Sequence, residues 1–277
     1  MKISDLHNDL ITELPFQNAL TYLEDNSTYI DKIILAVWTT HTKYNNYLSI
    51  SSLIEKYRLP ELETKILFGI EDISAIEEKY YERLKELNLF YASLTWNYDN
   101  CLGGGALGDS GLTEKGKAVL KALKDNHIAL DTAHLNKKTF WDCIDFFDGL
   151  IINSHSCFNS VYKHNRNLDD AQIKAIISKG GVIGLALVGE FLTSKSMPKI
   201  HDVTRHIDYF VQKFGDKNLC FGTDFWGTKN LPKKLTNYYE LYILVEYLQK
   251  IGYNKDTVER IFYRNFESFL RSFNGTA

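Results

Sequence analysis

His7 and Asp9 stand two residues apart in the string Asp5-Leu6-His7-Asn8-Asp9, which closes a strand-like run. In an extended strand residues i and i+2 face the same way, so an imidazole and a carboxylate at this spacing can chelate one cation. Alone, such a pair arises easily by chance. Four further strings carry the same kinds of side chain: Gly69-Ile70-Glu71-Asp72, Asp131-Thr132-Ala133-His134, Asn153-Ser154-His155-Ser156 and Gly222-Thr223-Asp224. Three histidines (His7, His134, His155) with three carboxylates (Asp9, Glu71, Asp224) suit Zn²⁺ or a similar ion better than Mg²⁺ or Ca²⁺, which favour all-oxygen shells. Six ligands are enough for two ions. A carboxylate between ions about 3.5 to 4 Å apart can bridge them, and a shared water then loses its proton near neutral pH and becomes a nucleophile.

These strings need a scaffold that brings them to one place. Short β-branched or aromatic runs occur at Lys2 to Asp9, Lys32 to Thr39, Lys65 to Glu71, Leu89 to Asn97, His127 to His134, Leu150 to Ser156, Gly181 to Leu187 and Asn218 to Phe225. Between them lie helix-period segments. Ile173, Ile176 and Ile177 share a face behind Asp169, with Gln172 placed as a capping-box partner, and Phe140, Cys143, Ile144 and Phe147 repeat the spacing. Strands alternating with helices imply parallel pairing, and eight units in 277 residues predict an α/β fold of the (β/α)8 TIM-type barrel kind, as one domain over 1–277. An open doubly wound sheet is the alternative. Apolar-periodic segments around Tyr238 to Gln249 and Asp256 to Phe266 add C-terminal helices, and no linker or repeat divides the chain. Every candidate ligand closes a run, where barrel chemistry sits.

Composition removes other readings. Thirty-two Lys and Arg against thirty-five Asp and Glu leave a net charge of −3, which provides no positive field for nucleic acid. No run approaches the roughly 18 apolar residues of a membrane span, and no apolar leader follows Lys2, so a cytoplasmic protein is expected. Cys101, Cys143, Cys157 and Cys220 form no C-x-x-C pair, which points away from thiolate zinc and a disulfide framework. Gly103, Gly105 and Gly108 satisfy G-x-G-x-x-G, yet the helical signal begins only near Thr113, so a flexible loop over the barrel mouth is expected instead of a nucleotide site. His127 opens its run at the structural end of the barrel, His41 and His201 read as surface residues, and His206 is left open.

The chain resembles the membrane (renal-type) dipeptidases, zinc metallopeptidases related to the amidohydrolase superfamily. Besides the strings above, the likeness runs through Leu94-Thr95-Trp96-Asn97, Gly111-Leu112-Thr113 with Gly116, His164-Asn165-Arg166-Asn167-Leu168, Gly180-Gly181-Val182-Ile183-Gly184, His206-Ile207-Asp208 and Gly222-Thr223-Asp224-Phe225. The resemblance implies that His7 and Asp9 bind one zinc, that His134 and His155 bind a second, and that Glu71 bridges them. It also implies that Arg166 holds the substrate carboxylate and that Asp224 handles the proton of the attacking water. On residue type alone Arg166 reads equally as a surface ion-pair residue, and Asp224 as a turn or cap.

Three departures bear on substrate. Trp96 stands where mammalian-type members have a substrate-contacting histidine, Ala186-Leu187-Val188 replaces an Asn-Phe-aromatic segment, and Trp226 replaces the second Asp of D-F-D-G. The expected activity is a two-zinc dipeptidase acting on a small-molecule dipeptide, with no nucleic-acid or membrane partner and a homodimer as the one assembly considered. The alternatives are a metal-dependent hydrolase of another small amide or lactone, or a non-catalytic small-molecule-binding relative.

Overall fold

The computed structural model describes residues 2–58 and 62–275, so the ends of the 1–277 span and residues 59–61 lie outside the described residues. The β-branched and aromatic runs form eight strands: β1 (Ile3–Asn8), β2 (Ile30–Trp38), β3 (Lys65–Glu71), β4 (Leu89–Ser93), β5 (Ala129–Asp131), β6 (Ile151–Ser156), β7 (Ile183–Leu185) and β8 (Leu219–Phe221). They pair in parallel in sequence order, and β8 returns to β1 through Asp5 and Phe221, which closes the barrel. The open-sheet alternative is thereby excluded. Helices cross between most strands, among them Glu114–Asp125 before β5, Lys137–Phe146 before β6 and Asp170–Ser178 before β7. Asp169 and Gln172 make the expected capping box, with reciprocal bonds of 3.0 Å. Between β3 and β4 the crossing is mainly 3₁₀ turns, Ile73–Ala75 and Glu78–Arg83, and one short helix, Leu84–Leu87.

The carboxyl terminus differs from the expected pair of helices. After Leu241–Lys250 the chain runs through Lys255–Glu259, a π turn at Arg260–Arg264 and the helix Asn265–Gly275. Phe266, Phe269 and Leu270 of that last helix pack on Phe90, Ile34 and Ile152 inside the barrel, at the end opposite the metal-type residues. The barrel floor is sealed with aromatic side chains, and Phe266→Ala would cost about 3–5 kcal/mol.

Higher in the barrel the fully buried Tyr91 lies against a glycine. Gly69 pairs with Tyr91 across β3 and β4, and a Cβ on Gly69 would lie 2.4 Å from the Tyr91 ring. Glycine therefore leaves room for the phenol, whose hydroxyl reaches the top layer of the barrel, where the candidate ligands lie. No described helix is long and apolar enough to cross a membrane.

Candidate metal centre

Two strand-end carboxylates prove to be structural. Asp5 accepts from the backbone N–H of Thr223 at 2.8 Å and its hydroxyl at 2.7 Å, and so ties β1 to the segment after β8. Asp131 accepts from Ser154 N–H at 2.8 Å and Ser154 Oγ at 2.6 Å. Their lone pairs are spoken for.

The remaining six converge. His7 and His155 come from β1 and β6, with ring centroids 3.8 Å apart, and Glu71 closes β3. Asp9 lies just past β1 as the residue before the helix Leu10–Glu13, with φ −91° and ψ 9°. It is not extended, as the H-x-D reasoning supposed, yet its Oδ2 comes to 3.4 Å from His7 Nε2. His134 and Asp224 lie three residues beyond the ends of β5 and β8, and both take the left-handed conformation, φ 68° and 59°. For residues with a Cβ that conformation costs roughly 1–2 kcal/mol each, and here it turns both side chains back over the barrel mouth. His134 Nε2 contacts Glu71 Oε1 and lies 3.0 Å from His155 Nε2, which is 3.9 Å from the same Glu71 oxygen. Asp224 Oδ1 is 3.8 Å from His7 Nε2. Gly227 lets the chain pass over the two acids, since a Cβ there would lie 2.2 Å from Asp224 Oδ1 and from Asp9 Oδ2.

All six are buried. Burial and the neighbouring Asp9 push Glu71 well above the ordinary carboxyl range. Asp224 is raised to about 7, by burial first and by Asp9 next. Burial works against protonated His7, but Asp9, Glu71 and Asp224 outweigh it and raise His7 to about 10. His134 and His155 go the other way: burial holds both neutral. Three acids crowded in low dielectric, and imidazole nitrogens facing one another across 3.0 Å, are an arrangement that a bound cation would stabilise beyond what His7 and Arg166 supply. His7 Nε2 and Asp9 Oδ1 are buried with no hydrogen-bond partner among the described residues. The sets His7, Glu71, His155 and His7, Asp9, Asp224 each bring ligand atoms within 4.8 Å of one another. The donor set therefore fits a cation, and its mixture of imidazole and carboxylate suits zinc.

A second layer orients these ligands, and sequence reasoning passed over it. Tyr91 Oη is 2.7 Å from His7 Nδ1, Asn97 Oδ1 is 2.9 Å from His134 Nδ1, and Ser154 Oγ is 2.7 Å from His155 Nδ1. Each contact leaves the Nε2 atom to face the cluster, as outer partners of metal-binding histidines do. Tyr91 carried no sequence signal beyond its place in a strand run, and its part here follows from the 2.7 Å contact to His7.

A cavity of about 580 Å³ opens above the cluster, lined by Asp9, Glu71, His134 and Asp224, by Trp38 and Trp96, and by Arg166, Val188 and Phe191. Arg166 is buried, lies over the Phe191 ring at 5.1 Å and donates from Nη2 to His155 Nε2 at 2.7 Å. Its Nε and Nη1 have no partner among the described residues. Trp96 stands 5.3 Å from Trp38 and 6.2 Å from His134 between ring centroids. Trp226, in a left-handed turn, packs edge-on against Tyr22.

Five other histidines stay outside the cluster, of which the half-buried His164 packs its ring 4.9 Å from that of Phe191. His41, His127 and His201 are exposed. His206 is a buried tether: its Nδ1 accepts from Phe158 N–H at 3.2 Å and its Nε2 lies 3.2 Å from the Leu192 carbonyl. The glycine-rich loop is pinned where a flexible one was expected. Asp99 accepts from Gly105 N–H, Ser110 N–H and Ser110 Oγ, and Asn136 donates to the Gly108 and Ser110 carbonyls. The helix after it opens at Thr113, clear of the last glycine of the motif.

A parallel (β/α)8 barrel with a histidine and carboxylate cluster at the carboxyl ends of its strands defines the class: a metal-dependent hydrolase barrel. Residues 16–275 match the membrane dipeptidase family, peptidase family M19, and the chain belongs to that family. A Klebsiella pneumoniae protein described as an uncharacterized protein in the pqqA 5′ region is 29% identical over 206 residues, 68% of this chain and 76% of its own. Among solved structures, the dipeptidase AC, a metallo peptidase of family M19, superposes with a TM-score of 0.86 at 18% identity, covering 98% of both chains. A metallo peptidase from Rhodobacter sphaeroides, liganded with a phosphinate mimic of the dipeptide L-Ala-D-Ala, gives 0.82 at 18% identity over 98% of this chain and 99% of its own.

Proposed function

We propose that this chain hydrolyses the peptide bond of dipeptides at two zinc ions, one held by His7 and Asp9, the other by His134 and His155, with Glu71 bridging them. Bound there, zinc supplies positive charge that polarises the scissile carbonyl and acidifies the attacking water. The chain's own groups do the rest. Asp224, buried beside Asp9 at the edge of the cluster, takes the proton of the water and returns it to the leaving amine. Its backbone N–H is fixed to the His7 carbonyl at 3.2 Å, so the carboxylate is held beside the cluster before substrate arrives. The same peptide contact closes the β1 and β8 ends of the barrel mouth.

Arg166, buried against Phe191 with two nitrogens unpaired, receives the substrate's free carboxylate as a charge-assisted fork. Because Arg166 lines the same cavity as Asp9, Glu71, His134 and Asp224, a carboxylate one residue beyond the scissile bond is held and a longer chain is not. Trp96 forms the wall against which the substrate lies.

The observation that carries this reading is the convergence of three imidazoles and three carboxylates, drawn from five strand ends, with Asp9, Glu71, His134 and Asp224 among them lining a cavity that also holds a buried arginine. A panel of dipeptides, N-acyl amino acids and lactones tests it on zinc-loaded protein. Dipeptides should be cleaved, with activity lost to a chelator and restored by zinc. Cleavage of acyl amino acids or lactones alone moves the assignment to another small bond, and turnover of nothing on the panel by protein with two zinc equivalents bound overturns it.

A further inference from the structure

Asp131 does more than tie β5 to β6. It is buried, and the backbone N–H groups of Ser154 and Ala133 both donate to its Oδ1, at 2.8 and 3.1 Å. Its Oδ2 accepts from the hydroxyl of Ser154 at 2.6 Å. All three bonds arrive from donors, the pattern of an ionised carboxylate, and they oppose the upward push of burial on this acid. The Ser154 oxygen also lies 2.7 Å from His155 Nδ1, so carboxylate, hydroxyl and imidazole form one buried chain. The far end of that chain fixes the direction of its protons. Arg166 Nη2 meets His155 Nε2 at 2.7 Å, and a guanidinium can only donate. His155 Nε2 therefore carries a lone pair. Burial holds the ring neutral, so its one proton is on Nδ1. Nδ1 donates to Ser154 Oγ, and the hydroxyl in turn donates to Asp131.

We propose that Asp131 is a positioning residue of the metal centre: through the hydroxyl of Ser154 it keeps the His155 proton on Nδ1, and so presents a bare Nε2 to a cation that takes the place of the Arg166 contact. The inference rests on the reading of His155 as a metal ligand. Asp131→Asn keeps the shape of the side chain and reverses the chain of donors. The amide oxygen stays with the two backbone N–H groups, so the NH₂ faces Ser154 and donates to it. The hydroxyl proton then goes elsewhere, and His155 Nδ1 at 2.7 Å is a nearer acceptor than His7 Nδ1 at 3.5 Å. His155 is driven to the tautomer with its proton on Nε2, which blocks the lone pair that a cation needs. Removing the Ser154 hydroxyl as well takes away the misdirected proton. A carboxylate that only braced two strands would have no effect on the tautomer.

Long-range proton–nitrogen NMR of zinc-free protein with isotope-labelled histidines reads the tautomer, and competitive titration against a zinc chelator reads the affinity. His155, assigned by the loss of its signals in His155→Gln, should carry its proton on Nδ1 in the wild type and on Nε2 in Asp131→Asn. Zinc affinity should fall about 10- to 100-fold in Asp131→Asn, the range seen for outer partners of metal ligands. It should recover in part when Ser154→Ala is added, because no hydroxyl proton is left to misplace. Should Asp131→Asn not fold, Ser154→Ala alone should lower zinc affinity about tenfold, and wild-type affinity there overturns the role. Wild-type His155 protonated on Nε2, an unchanged tautomer in folded Asp131→Asn, or a double variant weaker than Asp131→Asn overturns the proposal. A switched tautomer with unchanged zinc affinity keeps the hydrogen-bond chain but removes His155 from the ligands, and with it the role of Asp131 at the metal.

Discussion

Replacing Glu71 with Gln keeps the size and most of the hydrogen-bonding shape of the side chain and removes one negative charge from the centre of the cluster. Glu71 Oε1 touches His134 Nε2 and lies 3.9 Å from His155 Nε2, so a cation held by these imidazoles sits within contact range of the carboxylate. A unit charge pair about 4 Å apart at an effective dielectric constant of about 20 is worth about 4 kcal/mol. Removing it should weaken metal binding by about a thousandfold. The metal-free protein should respond in the opposite sense. There Glu71 is buried beside Asp9 and Asp224 and resists ionisation, so a permanently neutral amide avoids the cost of protonating it on folding and raises the melting temperature. A gain of about 1 kcal/mol corresponds to about 2 °C for a chain of this size. Competitive titration against a zinc chelator gives the affinity, and thermal melts with and without zinc give the two stabilities. Unchanged zinc affinity in Glu71→Gln, or a lower melting temperature for its metal-free form, would refute the reasoning.

Three further outcomes are expected. In the metal-free protein Asp224 is raised to about 7 from its ordinary 3.8, so the folded state binds this proton more tightly than the unfolded chain; its contribution is complete below about pH 4 and is lost as pH rises towards 7. Glu71 acts in the same direction, and His7, raised to about 10, extends the decline above pH 6.5. Metal-free melting temperatures should therefore fall from pH 4 to 7 and fall less in Asp224→Asn; a flat or rising profile contradicts the charge arrangement. Arg166→Lys keeps the charge and loses the planar fork, so KM should rise about tenfold or more with a smaller change in kcat; equal loss in both would place Arg166 elsewhere in the reaction. Tyr91→Phe removes the 2.7 Å contact to His7 Nδ1 and should lower zinc affinity or activity about 10- to 100-fold, and wild-type values for both would show that His7 needs no such support.

The barrel was legible because each strand carries its own β-branched or aromatic run and crossings such as Lys137–Phe146 and Asp170–Ser178 their own amphipathic period, signals that are local in sequence. Strand ends were less so. The runs through His134 and Asp224 read as continuous strand, but both residues leave the ladder in left-handed turns, a conformation that hydrophobic alternation does not encode. Asp9 likewise reaches the cluster from a helix start and not from the strand face. The positions of His7, Glu71 and His155 at strand ends were readable from residue type and place alone. Tyr91, Asn97 and Ser154 were not, because their roles depend on which nitrogen of a distant histidine they meet. The C-terminal helix also ran further than its periodic segment suggested, since the π turn at Arg260–Arg264 shifts the apolar face while the chain continues to the barrel floor.

The central claim is that residues from five strand ends hold two zinc ions above a sealed barrel. A crystal structure of zinc-loaded protein, with anomalous data collected on both sides of the zinc absorption edge, tests it most directly. Two edge-dependent peaks should appear, one against His7 and Asp9 and one against His134 and His155, about 3.5 to 4 Å apart with Glu71 between them. A single peak, or peaks ligated by residues outside this cluster, would contradict the account.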